Sequence, residues 1–169
     1  QRGYAISEYY DQHADVPTLY IGGWYDSYAR NTCESFIALS KLKKSEQRLL
    51  MGPWTHGGWE VSYAGELDFG IDSPIIYNDL RLAWFDHYLK GMHTQVADWT
   101  PVRIFVMGAG DGKRKILGAP AARSAFPGGT NHGGYWRDEP DWPLPDTTFA
   151  PYYLHAGGAL STTRPESDV

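Results

Sequence analysis

Apolar residues fall in two different rhythms along this chain. Between residue 1 and about residue 97, short continuous apolar runs alternate with segments of helical spacing. Val16-Pro17-Thr18-Leu19-Tyr20-Ile21 is such a run, rich in β-forming residues and stopped by Gly22-Gly23, which predicts a strand buried on both faces. A helix is expected next. Asn31 offers an N-cap, Glu34 falls in the first turn, and Cys33, Phe36, Ile37 and Leu39 lie close to one face. Gln47-Arg48-Leu49-Leu50-Met51 predicts a second strand, stopped by Gly52-Pro53. Strand, helix and strand within roughly 35 residues is the size of a βαβ crossover, so the two strands should pair in parallel.

Ser73-Pro74 then supplies an N-cap and a first helical residue for a longer helix. Ile76, Leu80, Trp84 and Tyr88 recur every four residues, Tyr77 and Phe85 widen the stripe, and Gly91 provides the stop. The aromatic face of this helix is expected to pack on the sheet. After about residue 98 the helical period disappears. Val102-Arg103-Ile104-Phe105-Val106-Met107 alternates in part, as a strand does, and residues 108–134 read as a long loop rich in Gly, Ala and Pro. Tyr135-Trp136-Arg137 and Pro151-Tyr152-Tyr153-Leu154-His155 predict further strands, the second followed by a turn at Gly157-Gly158. The expected fold class is therefore α/β, a parallel sheet with helices over residues 1–97, followed over residues 98–169 by the first strands of an antiparallel β-sandwich or jelly roll.

Composition narrows the function classes. The chain of 169 residues carries 15 Lys and Arg against 20 Asp and Glu, a formal charge of −5. No basic stripe offers counterions to a phosphate backbone, so nucleic acid is not an expected partner. Lys41-Leu42-Lys43-Lys44 and Lys113-Arg114-Lys115 read as a solvated helix end and a loop. No apolar run reaches the roughly 18 residues of a membrane span, so no membrane partner is expected and a soluble protein is, with the cytoplasm favoured. Cys33 is the single cysteine, which excludes an internal disulfide framework. Aromatics reach 15%, with seven Trp, and there are 19 Gly and 11 Pro. Many turns and many aromatics suit short strands, loops and a cleft.

The candidate chemistry lies at two strand ends. Gly22-Gly23-Trp24-Tyr25-Asp26-Ser27-Tyr28 follows the first predicted strand, and Gly52-Pro53-Trp54-Thr55-His56-Gly57-Gly58 follows the second. Ligands of open α/β sheets sit at the carboxyl ends of strands, so Asp26 and His56 should be neighbours there. A carboxylate beside an imidazole fixes its tautomer and stabilises the imidazolium formed when the other ring nitrogen takes a proton. Acid before histidine is the order of the second and third triad members in α/β-hydrolases. No Ser, Thr or Cys lies in a Gly-x-Ser-x-Gly turn, so a nucleophile is not visible. No His-x-x-x-His or Cys/His spacing exists either, and neither a metal nor a cofactor is expected. Taken singly, an Asp in a turn and a His in a Gly-rich loop are ordinary surface residues. It is their tandem placement that points to chemistry.

These residues resemble a known family. Val16-Pro17-Thr18-Leu19, Gly23-Trp24-Tyr25-Asp26 and Met51-Gly52-Pro53-Trp54-Thr55-His56-Gly57 are similar to the CocE/NonD family, the cocaine-esterase and X-Pro dipeptidyl-peptidase group of α/β-hydrolases. The resemblance continues through Trp84-Phe85-Asp86-His87-Tyr88-Leu89-Lys90-Gly91, Pro101-Val102-Arg103-Ile104-Phe105-Val106-Met107-Gly108 and Trp136-Arg137-Asp138-Glu139-Pro140-Asp141-Trp142-Pro143-Leu144-Pro145, and ends in Tyr153-Leu154-His155-Ala156-Gly157-Gly158-Ala159-Leu160-Ser161. It implies a serine hydrolase of esters or amides, with an α/β-hydrolase domain, a helical cap and a C-terminal jelly roll. Asp26 then resembles the triad acid and His56 the triad base. Tyr28, two residues past the acid, and Trp54 or the 57–72 loop are implied to line the substrate pocket.

The resemblance further implies that residues 1–97 are the C-terminal part of the catalytic domain and residues 98–169 the N-terminal part of the jelly roll. The serine, the oxyanion donors and the cap would precede this stretch. The chain is then expected to need that preceding part of the catalytic domain and to hydrolyse nothing alone. Its substrate would be a small ester or a short peptide. The alternative is a non-catalytic module that binds a ligand or partner through its Trp-rich loops.

Overall fold

The computed structural model describes residues 3, 5–114 and 129–165. Strand β1 (Thr18–Gly23), helix α1 (Ala29–Leu42) and strand β2 (Gln47–Gly52) form the βαβ unit expected from the sequence, with β1 and β2 parallel. All six residues of β2 are buried, whereas β1 lies at the sheet edge and is only half-buried over its first four residues. The burial on both faces expected of the first strand is therefore not met by β1, and the wholly buried strand is β2. An edge strand has a neighbour on one side alone.

Helix α1 begins two residues before Asn31, so Asn31 does not cap it. Its N-cap is Tyr28, reached through a turn in which Ala29 N–H donates to the Asp26 carbonyl at 3.1 Å. Phe36 and Leu39 are the buried apolar residues of α1. Phe36 packs with Leu49 and Met51 of β2, and with Cys33 and Ile37 at the margin.

Helix α2 (Tyr77–Lys90) starts later than Ser73-Pro74 suggests. The polar groups there are already engaged. Ser73 Oγ donates to the Gly70 carbonyl, the Ser73 carbonyl accepts the Trp54 indole N–H, and Ile75 N–H donates to the Trp59 carbonyl at 2.7 Å. These bonds hold the segment extended, and Ile76 becomes the N-cap. Gly91 ends the helix in the left-handed conformation, as its sequence position predicts. Of the expected stripe, Leu80 and Trp84 are buried while Ile76 is 66% exposed. The helix packs against the 3-10 turn Gln95–Asp98. A cavity of about 360 Å³ lies between it and the sheet, lined by Leu19, Arg48 and Leu50 on one side and Ile76, Asp79 and Leu80 on the other.

Two short strands follow β2, β3 (Tyr63–Ala64) and β4 (Leu67–Asp68). Strand β5 (Val102–Met107) pairs parallel with β2. Then β6 (Thr130–Asn131) joins β4, and β7 (Gly134–Glu139) pairs antiparallel with β5. The main sheet thus has the order β1-β2-β5-β7 and runs across the boundary expected near residue 98. Val102, Ile104 and Phe105 of β5 are core residues, which explains why this strand continues the first sheet. The ends of the expected 108–134 loop are laddered: Gly110 and Gly112 N–H donate to the His132 and Asn131 carbonyls. Its residues 115–128 lie outside the described residues. Beyond β7 the described residues form one hairpin, β8 (Tyr153–Leu154) with β9 (Leu160–Ser161). Among the described residues no helix is long and apolar enough to cross a membrane.

Candidate active site

Gly23 and Gly52 are register partners at the last positions of β1 and β2. The loops that leave these strands therefore start level, at the carboxyl edge of the sheet. Backbone bonds tie the loops together: Trp24 N–H donates to the Gly52 carbonyl at 2.9 Å and Tyr25 N–H to the Trp54 carbonyl at 3.1 Å. Only glycine fits at both strand ends. A Cβ on Gly23 would stand 2.1 Å from the Trp54 carbonyl oxygen, and one on Gly52 2.4 Å from the Trp54 ring.

Trp54 is the brace of this corner. Its side chain is fully buried, its indole N–H donates to the Ser73 carbonyl at 3.1 Å, and its ring meets that of Trp136 at 5.6 Å between centroids. The sequence reading places Trp54 against a substrate. The structure assigns its side chain to packing, because a wholly buried indole has no face left for a ligand. Neighbouring Trp24 donates its indole N–H to the Phe105 carbonyl at 2.9 Å, which pins the first loop to β5.

On this frame Asp26 and His56 meet. Asp26 lies in a turn closed by its own N–H to the Gly23 carbonyl at 3.0 Å. Its Oδ1 accepts the Tyr28 N–H at 2.9 Å, and its Oδ2 lies 2.9 Å from Nδ1 of His56. The Asp26 side chain is 8% exposed and that of His56 72% exposed. Burial pushes the Asp26 carboxyl upward, but hydrogen bonds from Tyr28, His56 and Ser27 outweigh it and leave the group below the usual carboxylate range. Asp26 is therefore a carboxylate, which can only accept, so the proton of the shared bond sits on Nδ1. Whenever the ring is neutral, Nε2 on its far side then carries the lone pair. The arrangement can take a proton at Nε2 and stabilise the resulting imidazolium through Asp26.

Tyr28 stands beside the pair, its ring 5.3 Å from the imidazole between centroids. The 57–72 loop, the other candidate pocket wall, reaches the site through Phe69, whose ring meets that of Tyr25 at 5.7 Å. Phe69 itself packs edge-on against Phe105 and His132. Sequence reasoning missed Phe69 and the bracing role of Trp136. Both act through contacts with residues distant in the chain, and no local spacing announces them. Among the described residues no group of three or more His, Cys, Asp or Glu side chains gathers to hold a metal ion.

Residues 2–58, a stretch containing both Asp26 and His56, match the family model described as X-Pro dipeptidyl-peptidase (S15 family). Over 151 residues the chain is 31% identical to the cocaine esterase of Rhodococcus sp. (strain MB1 Bresler), an overlap of 88% of this chain and 22% of that protein. A crystal structure of a CocE/NonD family hydrolase from Staphylococcus aureus shares the fold, with a TM-score of 0.52 at 20% identity over 89% of this chain and 21% of that one. A second structure of such a hydrolase from the same organism gives 0.49 at 22% identity over 83% and 19%.

The chain is similar to hydrolases of the CocE/NonD family.

Its mixed sheet and helices are accordingly α/β-hydrolase-like. The chain spans about a fifth of the length of the esterase it matches, 22%. The family-model match ends at Gly58, just past His56, so it covers the βαβ unit and both loops of the site.

Proposed function

We propose that this chain carries the acid and the base of a Ser-His-Asp hydrolytic triad. Asp26 is the acid and His56 the general base. The observation that carries this reading is the 2.9 Å contact between Asp26 Oδ2 and His56 Nδ1 at two level strand ends. It is supported by the family-model match over both residues and by the esterase relative. The serine comes from outside residues 1–169, since none of the serines here lies in a Gly-x-Ser-x-Gly turn.

In this reading the serine hydroxyl attacks the carbonyl carbon of a small ester or a short peptide. His56 Nε2 takes the hydroxyl proton, then gives it to the departing alcohol or amine. Water repeats the cycle on the acyl-enzyme and releases the acid. Asp26 holds the tautomer throughout. Tyr28 lies at the rim of the site, where its half-exposed ring can face the acyl group. The hydrolase domain reaches through β7, because β5 and β7 complete the sheet that carries the pair, and the β8–β9 hairpin opens the sandwich. The 169-residue chain alone is inactive.

The test is turnover of an activated ester by the full-length parent. Asp26→Asn should lower turnover by about four orders of magnitude, and His56→Ala by a comparable factor. Unchanged turnover in either variant rules the triad out.

A further inference from the structure

Among the described residues, the Asp26 carboxylate and the Tyr28 ring are what hold the His56 side chain. That side chain is 72% exposed, and Gly57, the next residue, takes φ +73 with open space where a Cβ would stand. Exposed side chains change rotamer on the picosecond to nanosecond scale. One hydrogen bond to Asp26 fixes the position of Nδ1 but leaves the imidazole free to swing about that bond. A second contact on the ring is needed to fix its plane.

Tyr28 supplies one. The two rings are tilted by 58°, with centroids 5.3 Å apart. Tyr28 is itself anchored, because it is the N-cap of α1 and its N–H is bound to Oδ1 of the same carboxylate whose other oxygen meets His56. Acid, base and aromatic ring therefore form a closed loop of contacts. The Tyr28 backbone bond and the Tyr28 ring contact are independent, and a side-chain substitution removes only the second. Tyr28 is 57% exposed, so the substitution leaves the core untouched.

We propose that the Tyr28 ring is a positioning residue for His56: it keeps the imidazole aimed at Asp26 and directs Nε2 outward. The proposal rests on the reading of Asp26 and His56 as a catalytic pair. The contact is made by the ring and not by the hydroxyl, so phenylalanine should serve and an aliphatic side chain should not. An aromatic face near the imidazole also favours the cation formed on proton uptake.

The experiment follows the His56 Nδ1–H signal of the 15N-histidine-labelled full-length parent by NMR, together with its exchange with water. The variants are Tyr28→Phe, Tyr28→Leu, Tyr28→Met and Asp26→Asn. Backbone amide spectra report whether α1 is intact, and the two aliphatic variants back each other up if one fails to fold. The proposal expects Tyr28→Phe to match the native protein and the aliphatic variants to exchange about three-fold faster, the loss of one aromatic pair. Native-like exchange in Tyr28→Leu and Tyr28→Met, with the signal lost in Asp26→Asn, overturns the role of Tyr28 and leaves the Asp26–His56 pair standing. Faster exchange in Tyr28→Phe overturns the ring contact in favour of the hydroxyl. An unchanged signal in Asp26→Asn overturns the pair and the positioning role together.

Discussion

His56 Nδ1 lies 2.9 Å from Asp26 Oδ2 although thirty positions separate the two residues. The strands beneath them explain the meeting. Gly23 and Gly52 end β1 and β2 in register, and Trp54 clamps the loops that follow. The pair is a product of strand register.

The Asp26 carboxyl gives the first test. Burial raises it, and the hydrogen bonds from Tyr28, His56 and Ser27 lower it by more. A carboxyl whose folded value is depressed contributes stability that is present above its unfolded value, about 3.9, and lost as pH falls through the folded value. Carbon-detected NMR titration should place the Asp26 midpoint below 3.8, the value of the free group. His56→Ala should move the midpoint upward, because His56 acts both by hydrogen bond and by charge. A midpoint above 3.8 in the native chain contradicts this balance.

Gly52 gives the second. An alanine there places its Cβ 2.4 Å from the Trp54 ring, which is buried and cannot retreat. Gly52→Ala should destabilise the chain by about 1–3 kcal/mol. It should also weaken the Nδ1–H signal of His56, since Trp54 carries the loop. Urea unfolding measures the first effect, and an unchanged midpoint would mean that the corner relaxes freely.

The core against α1 gives the third. Phe36 is buried among Leu49, Met51, Val102 and Ile104. Phe36→Ala should cost about 3–5 kcal/mol. Leu89, on α2, is 77% exposed, so Leu89→Ala should stay within about 0.5 kcal/mol of the native chain. Equal effects in the two variants would show that the burial pattern does not set stability here.

Asp15 gives the fourth. Its carboxylate accepts the Lys44 N–H, the Ser45 N–H and the Ser45 hydroxyl, joining the segment before β1 to the loop after α1. The Ser45 hydroxyl, then the two backbone N–H groups, hold the carboxyl down to about 2. The contribution is complete above the unfolded value of about 3.9 and disappears as pH falls toward the folded value of about 2. Asp15→Asn should therefore lower Tm at pH 6 and approach the native Tm near pH 2. A Tm difference independent of pH would assign the effect to packing.

Local sequence carried much of this picture. The runs at Thr18–Gly23 and Gln47–Gly52 and the spacing of Phe36 and Leu39 were enough for the βαβ unit, because periodicity and glycine stops are properties of adjacent residues. Asp26 and His56 were legible for the same reason: each follows a strand end that glycine marks. Capping was less legible. Asn31 and Ser73 have capping side chains, yet the first sits inside α1 and the second bonds to Gly70, since neighbouring backbone groups were already engaged.

By itself, then, the sequence determined the alternation of strand and helix and put Asp26 and His56 each just past a strand end marked by glycine. Tertiary structure alone decided the rest. It placed β5 and β7 in the same sheet as β1 and β2, buried Trp54 against Trp136, and set the Tyr28 ring beside His56. The physical reason is range. Hydrogen-bond register and side-chain stacking join residues that chain order keeps apart, and no local pattern encodes which distant partner will fill the space.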